Sequence, residues 1–150
     1  MNNNIDDLVK FLNPLLTNLS DGEMSKLNKK VGMDLRRNQQ QHISQQQNPD
    51  GSAYAPRRLR EGKRIRKKMF SKLKANRFLR NFSNANSVTV GFLSNVNRIA
   101  TIHHFGLRDR IERNKPFTTT YEKRELLGFS DSDLKMIEQS VIKHLNVLDK

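Results

Sequence analysis

Residues 87–92 read SVTVGF, and the fold class turns on how this stretch is taken. Val88 and Val90 alternate with Ser87, Thr89 and Gly91, β-branched side chains dominate, and Phe92 closes the run, which is the pattern of a half-buried strand. The flanking segments carry helical periods instead. Downstream, Val96, Ile99, Ala100, His103 and His104 recur at helical spacing and stop at Gly106, a residue suited to the left-handed backbone of a helix end. A polar loop is expected over 108–116, and Phe117-Thr118-Thr119-Thr120-Tyr121 reads as another strand. Ser130, with Asp133 three residues on, opens a last helix that carries Leu134, Ile137, Val141, Leu145 and Leu148 on one face.

Working upstream from the same strand, Met69, Phe70 and Leu73 return apolar mass to the chain at helical spacing, and Phe78, Leu79 and Phe82 do so in strand-like fashion. At the N-terminus, Ile5, Leu8, Val9, Leu12, Leu15, Leu16 and Leu19 form one stripe of an amphipathic helix, capped by Asn3 or Asn4 and bent or split by Pro14. Ser20 and Glu23 have capping-box spacing, and Met24, Leu27, Val31, Leu35 and Ile43 continue a second stripe, so the two helices predict an antiparallel hairpin over 1–47. The tract QQQHISQQQ (39–47) reads either as low complexity or as the polar end of the second helix, and the strong helical pattern before it favours the helix. Asn48-Pro49-Asp50-Gly51 then makes a turn: proline presets φ, aspartate tolerates the next position, and glycine accepts the closing conformation. A basic loop or arm follows to residue 68, punctuated by Pro56 and Gly62, with Leu59 and Ile65 its only aliphatics. It is expected to bury little. The fold class is therefore α+β: an N-terminal helical hairpin (1–47), a long basic loop (48–68), and a 69–150 portion with a small antiparallel sheet inside and a C-terminal helix, all in one domain of 150 residues.

Charge is the main chemical statement. Of a net charge of +13, residues 57–80 supply most, with twelve Lys or Arg against Glu61 alone. Such a run suits phosphate neutralisation, giving salt-dependent and sequence-independent DNA binding, or an acidic protein face that orders the arm, or a solvated basic loop with no dedicated partner. Phe70 and Phe78 are spaced as core residues and not as a stacking platform, and no helix-turn-helix, zinc-finger or RNP pattern accompanies them. Arg57, Arg58, Arg60, Arg64, Arg66, Lys67 and Lys68 are the candidate partner-binding residues.

Catalytic chemistry finds no foothold in the pattern. His103 and His104 are adjacent, so on a helix they point about 100° apart and cannot chelate as an i, i+4 pair does. His42 and His144 stand among ordinary helix-surface neighbours. No Walker-type loop, G-x-S-x-G or cysteine nucleophile is present, and no metal or cofactor is expected. The N-terminus carries acids where a signal peptide carries positive charge, and no 18 apolar residues run together, so a soluble, unexported protein without membrane contact is expected.

The order of the short motifs adds a further implication. NPDGSAYAPRR, KRIRKKMFSKLKANRFLR, SVTVGF, RIATIHHFGLRDR and RELLGFSDSDL, in that order, resemble the tail-completion, or virion morphogenesis, family of contractile-tailed bacteriophages, from about Leu8 to Leu145. The likeness rests on Asn48 to Gly51, on Ala55, Pro56 and Arg57, on Lys67, Met69, Phe70, Lys72 and Leu73, on His103, Phe105, Gly106 and Leu107, and on Leu126, Leu127, Gly128, Phe129 and Ser130. Where the family commonly has P-A-R-P before L-L-G, this chain has Tyr121-Glu122-Lys123-Arg124-Glu125, retaining only the arginine. The resemblance implies a structural protein without catalytic residues that binds the head-proximal end of the tail, so that the tail can join a DNA-filled head. It implies a ring-forming homo-oligomer, partners among tail-tube and head-connector proteins, non-specific DNA contact by the basic run, and a place in the virion tail after assembly in the host cytoplasm. A basic DNA-binding accessory protein is the alternative. Phe105 is expected to anchor its helix in the core, with Gly106 closing it and His103 packing or capping.

Overall fold

The computed structural model describes residues 5–58, 67–112 and 114–148. In chain order they form α1 (Ile5–Leu16), α2 (Asp21–Ser44), β1 (Leu79–Asn81), β2 (Val90–Phe92), α3 (Ser94–Phe105), β3 (Arg108–Arg110), β4 (Thr118–Thr120) and α4 (Asp131–Leu148). The chain is α+β, with helices at its N-terminal end and a helix at its C-terminal end. The expected cap at Asn3 or Asn4 lies outside the described residues. Two compact units share the chain: unit one is Met1–Asn38, Arg80–Gly91 and Phe129–Lys150, and unit two is Gln39–Leu79 and Phe92–Gly128.

Unit one is a helical core. Leu12 of α1, Leu27 and Val31 of α2, and Ile137 and Val141 of α4 are buried together, flanked by half-buried Leu8, Leu16, Leu19 and Leu145. Burial of side chains this size stabilises by roughly 1.5–3 kcal/mol each. α1 packs against α4. Val9 and Leu15, expected on the α1 stripe, are exposed. They lie about 60° to either side of Leu12 on the helical wheel, too far round for the contact. Leu148, at the end of α4, is exposed.

The helix starts follow the sequence. Ser20 Oγ accepts from the Glu23 N–H at 3.2 Å and so satisfies one of the free donors of α2. At α4 the exchange is reciprocal: Ser130 Oγ accepts from Asp133 N at 3.1 Å, and Asp133 Oδ2 accepts from Ser130 N at 3.0 Å. Asp133 is fully buried, and its other oxygen accepts from Asn38 Nδ2 of α2 at 2.9 Å. A carboxylate at this depth is tolerated because its lone pairs are used.

The strand anticipated over 87–92 is real but shorter, since only Val90–Phe92 is regular. Phe82 N donates to Thr89 O at 2.8 Å. Beyond that, the Asn84 side chain takes the N–H groups of Asn86 and Ser87. Ser87 O still accepts from Asn84 N at 2.9 Å, whereas the Thr89 N–H goes to Ser83 Oγ at 3.1 Å, which interrupts the backbone ladder there. Instead of one small sheet, the described residues form two two-stranded sheets, β1–β2 and β3–β4.

Unit two is built around Ile43, Tyr54, Ala100 and Leu126, with Met69, Phe70, Leu73 and Phe92 packed on them. Four expectations change here. The polar loop over 108–116 contains β3, paired antiparallel with β4 in the register Arg108↔Thr120, Asp109↔Thr119, Arg110↔Thr118. Residues 69–73 form successive turns and not a helix, because Phe70 holds φ 64°, the left-handed region that ends a right-handed helix. The arm was expected to bury little, yet Tyr54 is 6% exposed. Phe105, expected in the core, is 60% exposed. The buried residues of α3 are Ala100 and Ile102, and Phe105 lies about 140° round the helix from Ala100. Gly106 does close α3 as expected, in the left-handed conformation (φ 68°, ψ 52°), and Ile102 O accepts from the N–H groups of both Gly106 and Leu107.

Candidate functional site

The candidate site in unit two grows from a strap, residues 121–128, held by one N–H after another. Tyr121 N donates to Leu107 O at 3.1 Å and Arg124 N to His103 O at 2.9 Å. Glu125 N donates to Asn48 Oδ1 at 2.9 Å, Leu126 N to His104 Nδ1 at 3.2 Å, and Gly128 N to Gln39 Oε1 at 3.1 Å. Where the strap passes Gly106, a Cβ on that glycine would stand 2.9 Å from Lys123 N. At Gly128 a Cβ would run into the Pro49 ring. The Asn48–Gly51 turn therefore sits on the strap: Gly51 N donates to Asn48 O at 2.9 Å, and Asp50 Oδ1 accepts from Ser52 N at 2.8 Å. The Ser52 hydroxyl, which also donates to Asp50 Oδ1, and then the Ser52 N–H hold the Asp50 carboxyl below its ordinary pKa.

Arg124 locks the arm to the strap. Its side chain is 6% exposed, with Nε donating to Ala55 O and an Nη to Pro56 O, both at 2.9 Å. Burial lowers its pKa, Glu122 opposes that, and Arg57 and Arg58 reinforce it. Tyr54 completes the attachment by donating its hydroxyl to Glu125 O at 3.0 Å. Burial and then the Glu125 charge push that phenol up to about 12.

Four rings follow one another edge to face. Tyr54 meets Phe70 at 5.9 Å, Phe70 meets His103 at 5.0 Å, and His103 meets Tyr121 at 4.8 Å. Burial lowers the pKa of His103, with Arg124 adding to the effect and Asp109 opposing it. Among the described residues nothing bonds to its Nδ1. His104 is also lowered by burial, partly offset by Glu125. Over Phe70, His103 and Tyr121 opens a cleft of about 480 Å³, bordered by Arg57, Arg58 and Arg124.

The candidate basic residues are only partly gathered. Arg57 and Arg58 border the cleft; Arg57 donates to Lys67 O at 3.3 Å, and Arg58 approaches Glu122 at 3.8 Å with both side chains largely exposed. Lys67 is exposed. Lys68 has turned away to donate to Ser44 O at 3.1 Å, where with Lys74, bonded to Ser44 Oγ, it neutralises the C-terminal end of α2. Arg60, Arg64 and Arg66 lie outside the described residues. No group of three or more His, Cys, Asp or Glu that could hold a metal ion occurs among the described residues. Nor is any described helix long and apolar enough to cross a membrane.

The profile of the phage virion morphogenesis family matches residues 3–146. The chain belongs to that family. It is also similar to the tail completion protein S of Escherichia phage P2, at 33% identity over 139 residues, 89% of this chain and 92% of that relative. No solved structure matched the chain at a significant level. In this member of the virion morphogenesis family, motifs far apart in sequence meet in unit two. Asn48 and Pro49 meet the strap at Glu125 and Gly128, Ala55 and Pro56 meet Arg124, and His103 and Gly106 back the strap's first half. Of the leucine pair, Leu126 is the buried one and Leu127 is half-buried.

Sequence reasoning passed over several residues that build this site. Gln46 bonds Met69 twice, its Nε2 to the carbonyl at 2.9 Å and its Oε1 from the N–H at 3.2 Å. Gln39 is 2% exposed, and Gln40 Nε2 donates to Lys74 O at 2.7 Å. The glutamine tract thus joins α2 to the segments around it. Tyr54 alone carried a signal, as the single aromatic in a polar arm.

Proposed function

We propose that the chain completes the head-proximal end of a contractile phage tail and thereby permits the tail to join a DNA-filled head, acting by binding and not by catalysis. The observation that carries this is family membership across 3–146, together with likeness to a relative called a tail completion protein over nearly its whole length. A protein that ends a tube must stop its growth and offer a different face to the next component. A closed ring of identical subunits with heterologous contacts meets both demands. Tail-tube and head-connector proteins are then its neighbours, assembled in the host cytoplasm and retained in the virion.

The partner surface in this proposal is the basic run, from Arg57 and Arg58 through Arg60, Arg64 and Arg66 to Lys67. The charge distribution supports it: unit two holds eighteen Lys or Arg against six Asp or Glu, whereas unit one holds ten against nine. The whole chain works as a single domain in the same proposal, because each unit is assembled from separated segments and no single cut would release either. Electron microscopy of particles assembled without this protein is the test. Separate full heads and finished tails are expected, and normally joined virions would refute the proposal. DNA binding through the same charge is the second reading, favoured only by the charge itself.

A further inference from the structure

We propose that the cleft of unit two binds an acidic, extended segment of a neighbouring virion protein, in which a carboxylate stands beside an aliphatic or aromatic side chain. This rests on the assembly role above and names the chemistry of the partner. The cleft joins an apolar floor to a charged border: Phe70, His103 and Tyr121 supply ring surface, and Arg57 and Arg58 stand at its edge with Glu122 beside them. At about 480 Å³ it has the size of a pocket for a few side chains. Arg58 has Glu122 nearby, but at 3.8 Å and with both groups mostly exposed that pair is weak and easily exchanged for an incoming carboxylate. Arg124 is committed to Ala55 and Pro56, so it fixes the arginine-bearing arm and leaves recognition to Arg57 and Arg58.

The floor is held through its backbone as well as its side chains. Phe70 is one of two non-glycine residues with positive φ among the described residues, a conformation that costs free energy and recurs at binding sites. Gln46, the other, holds the neighbouring Met69 backbone by both ends of its amide. Nucleic acid fits less well than peptide. The rings are engaged edge to face with one another and do not form a row of open faces for base stacking.

The test uses the full chain and two labelled ten-residue peptides, one alternating Glu with Leu and Phe, the other with Gln in place of Glu, followed by fluorescence anisotropy at about 150 mM salt. The Glu peptide is expected to bind about tenfold tighter than the Gln peptide, as charge-assisted bonds to one carboxylate would give. Tyr121→Ala should weaken the Glu peptide, and Arg57→Ser with Arg58→Ser should abolish its advantage, with unfolding curves confirming that the variants fold. Equal binding of the two peptides, or an unchanged advantage in the double-serine variant, overturns the inference. So does single-stranded DNA that displaces the peptide and binds more tightly, or self-association that the same variants abolish. If the cleft variants lose the peptide but still enter tails normally, this inference fails while the tail role stands. If particles without the protein are normal, the role itself fails whatever the peptides do.

Discussion

Single side chains in this molecule act mostly on backbone, and Arg124 shows the consequence. Two carbonyls, Ala55 O and Pro56 O, depend on one guanidinium in a buried setting. Arg124→Ala is expected to destabilise by about 2–4 kcal/mol, the range for losing charge-assisted bonds and stranding their acceptors. Arg124→Lys should recover less than half of that, because an ammonium cannot reproduce the fork. Urea unfolding of the three proteins measures both numbers. The histidines make a pH prediction. His103 and His104 both have lowered pKa in the folded chain, so below about 6.5 the unfolded state takes up protons that the folded state refuses. Their contribution is fully present above the ordinary imidazole range and is lost as the pH falls through it. Protonation of His104 would also place a donor against the Leu126 N–H. His104→Asn, which keeps an acceptor there, should flatten the decline of melting temperature between about pH 7 and 5. A slope equal to wild type would remove His104 from the account. Neither role was legible in the sequence beyond the bare presence of Arg124 and the two histidines, since the partners are backbone groups brought in from other segments.

At the level of elements, what the sequence disclosed was local and what it concealed was not. Ser20 with Glu23, Ser130 with Asp133, Asn48 to Gly51, and Gly106 each make a cap or turn bond within a few residues of their own positions, where the sequence puts it. β3 was hidden because Arg-Asp-Arg has no apolar alternation and becomes a strand only by pairing with β4. Phe105 was misplaced for a related reason: helical spacing tells which residues share a face, but not which face the rest of the chain will cover. The burial pattern predicts a contrast. Phe105→Ala should cost under about 1 kcal/mol, whereas Leu126→Ala, at 1% exposure, should cost about 2–5 kcal/mol. Thermal denaturation of the pair checks it, and a large loss for Phe105→Ala in the isolated protein would show that ring to be buried after all. Should Phe105→Ala instead leave stability intact and reduce entry into tails, the exposed ring is a contact made only in the assembly.

For the whole molecule the open question is what the charge on unit two is for, and affinity alone cannot answer it. Any chain with this excess of arginine and lysine will hold DNA at low salt by releasing counterions, with no regard to sequence. That kind of attachment should weaken steeply between about 50 and 200 mM salt, because each displaced counterion adds to the dependence. Attachment to tails should weaken far less, since apolar contacts in the proposed ring would supply a part that salt does not screen. The charge should also be separable from stability. Arg57 and Arg58 are exposed, and among the described residues their intramolecular partners are one backbone oxygen and one exposed carboxylate. Replacing Arg57, Arg58 and Arg60 by serine is therefore expected to shift unfolding by less than about 1 kcal/mol while blocking incorporation into tails. Paired titrations of wild type and the triple variant, one against duplex DNA and one against purified tails that lack the protein, distinguish the uses. A steep salt slope on DNA, a shallow one on tails, and loss of the tail interaction in the triple variant assign the basic run to assembly. Salt-resistant DNA binding with no tail binding would make it a nucleic-acid element, and a collapse of the melting temperature in the triple variant would place those arginines in the fold itself.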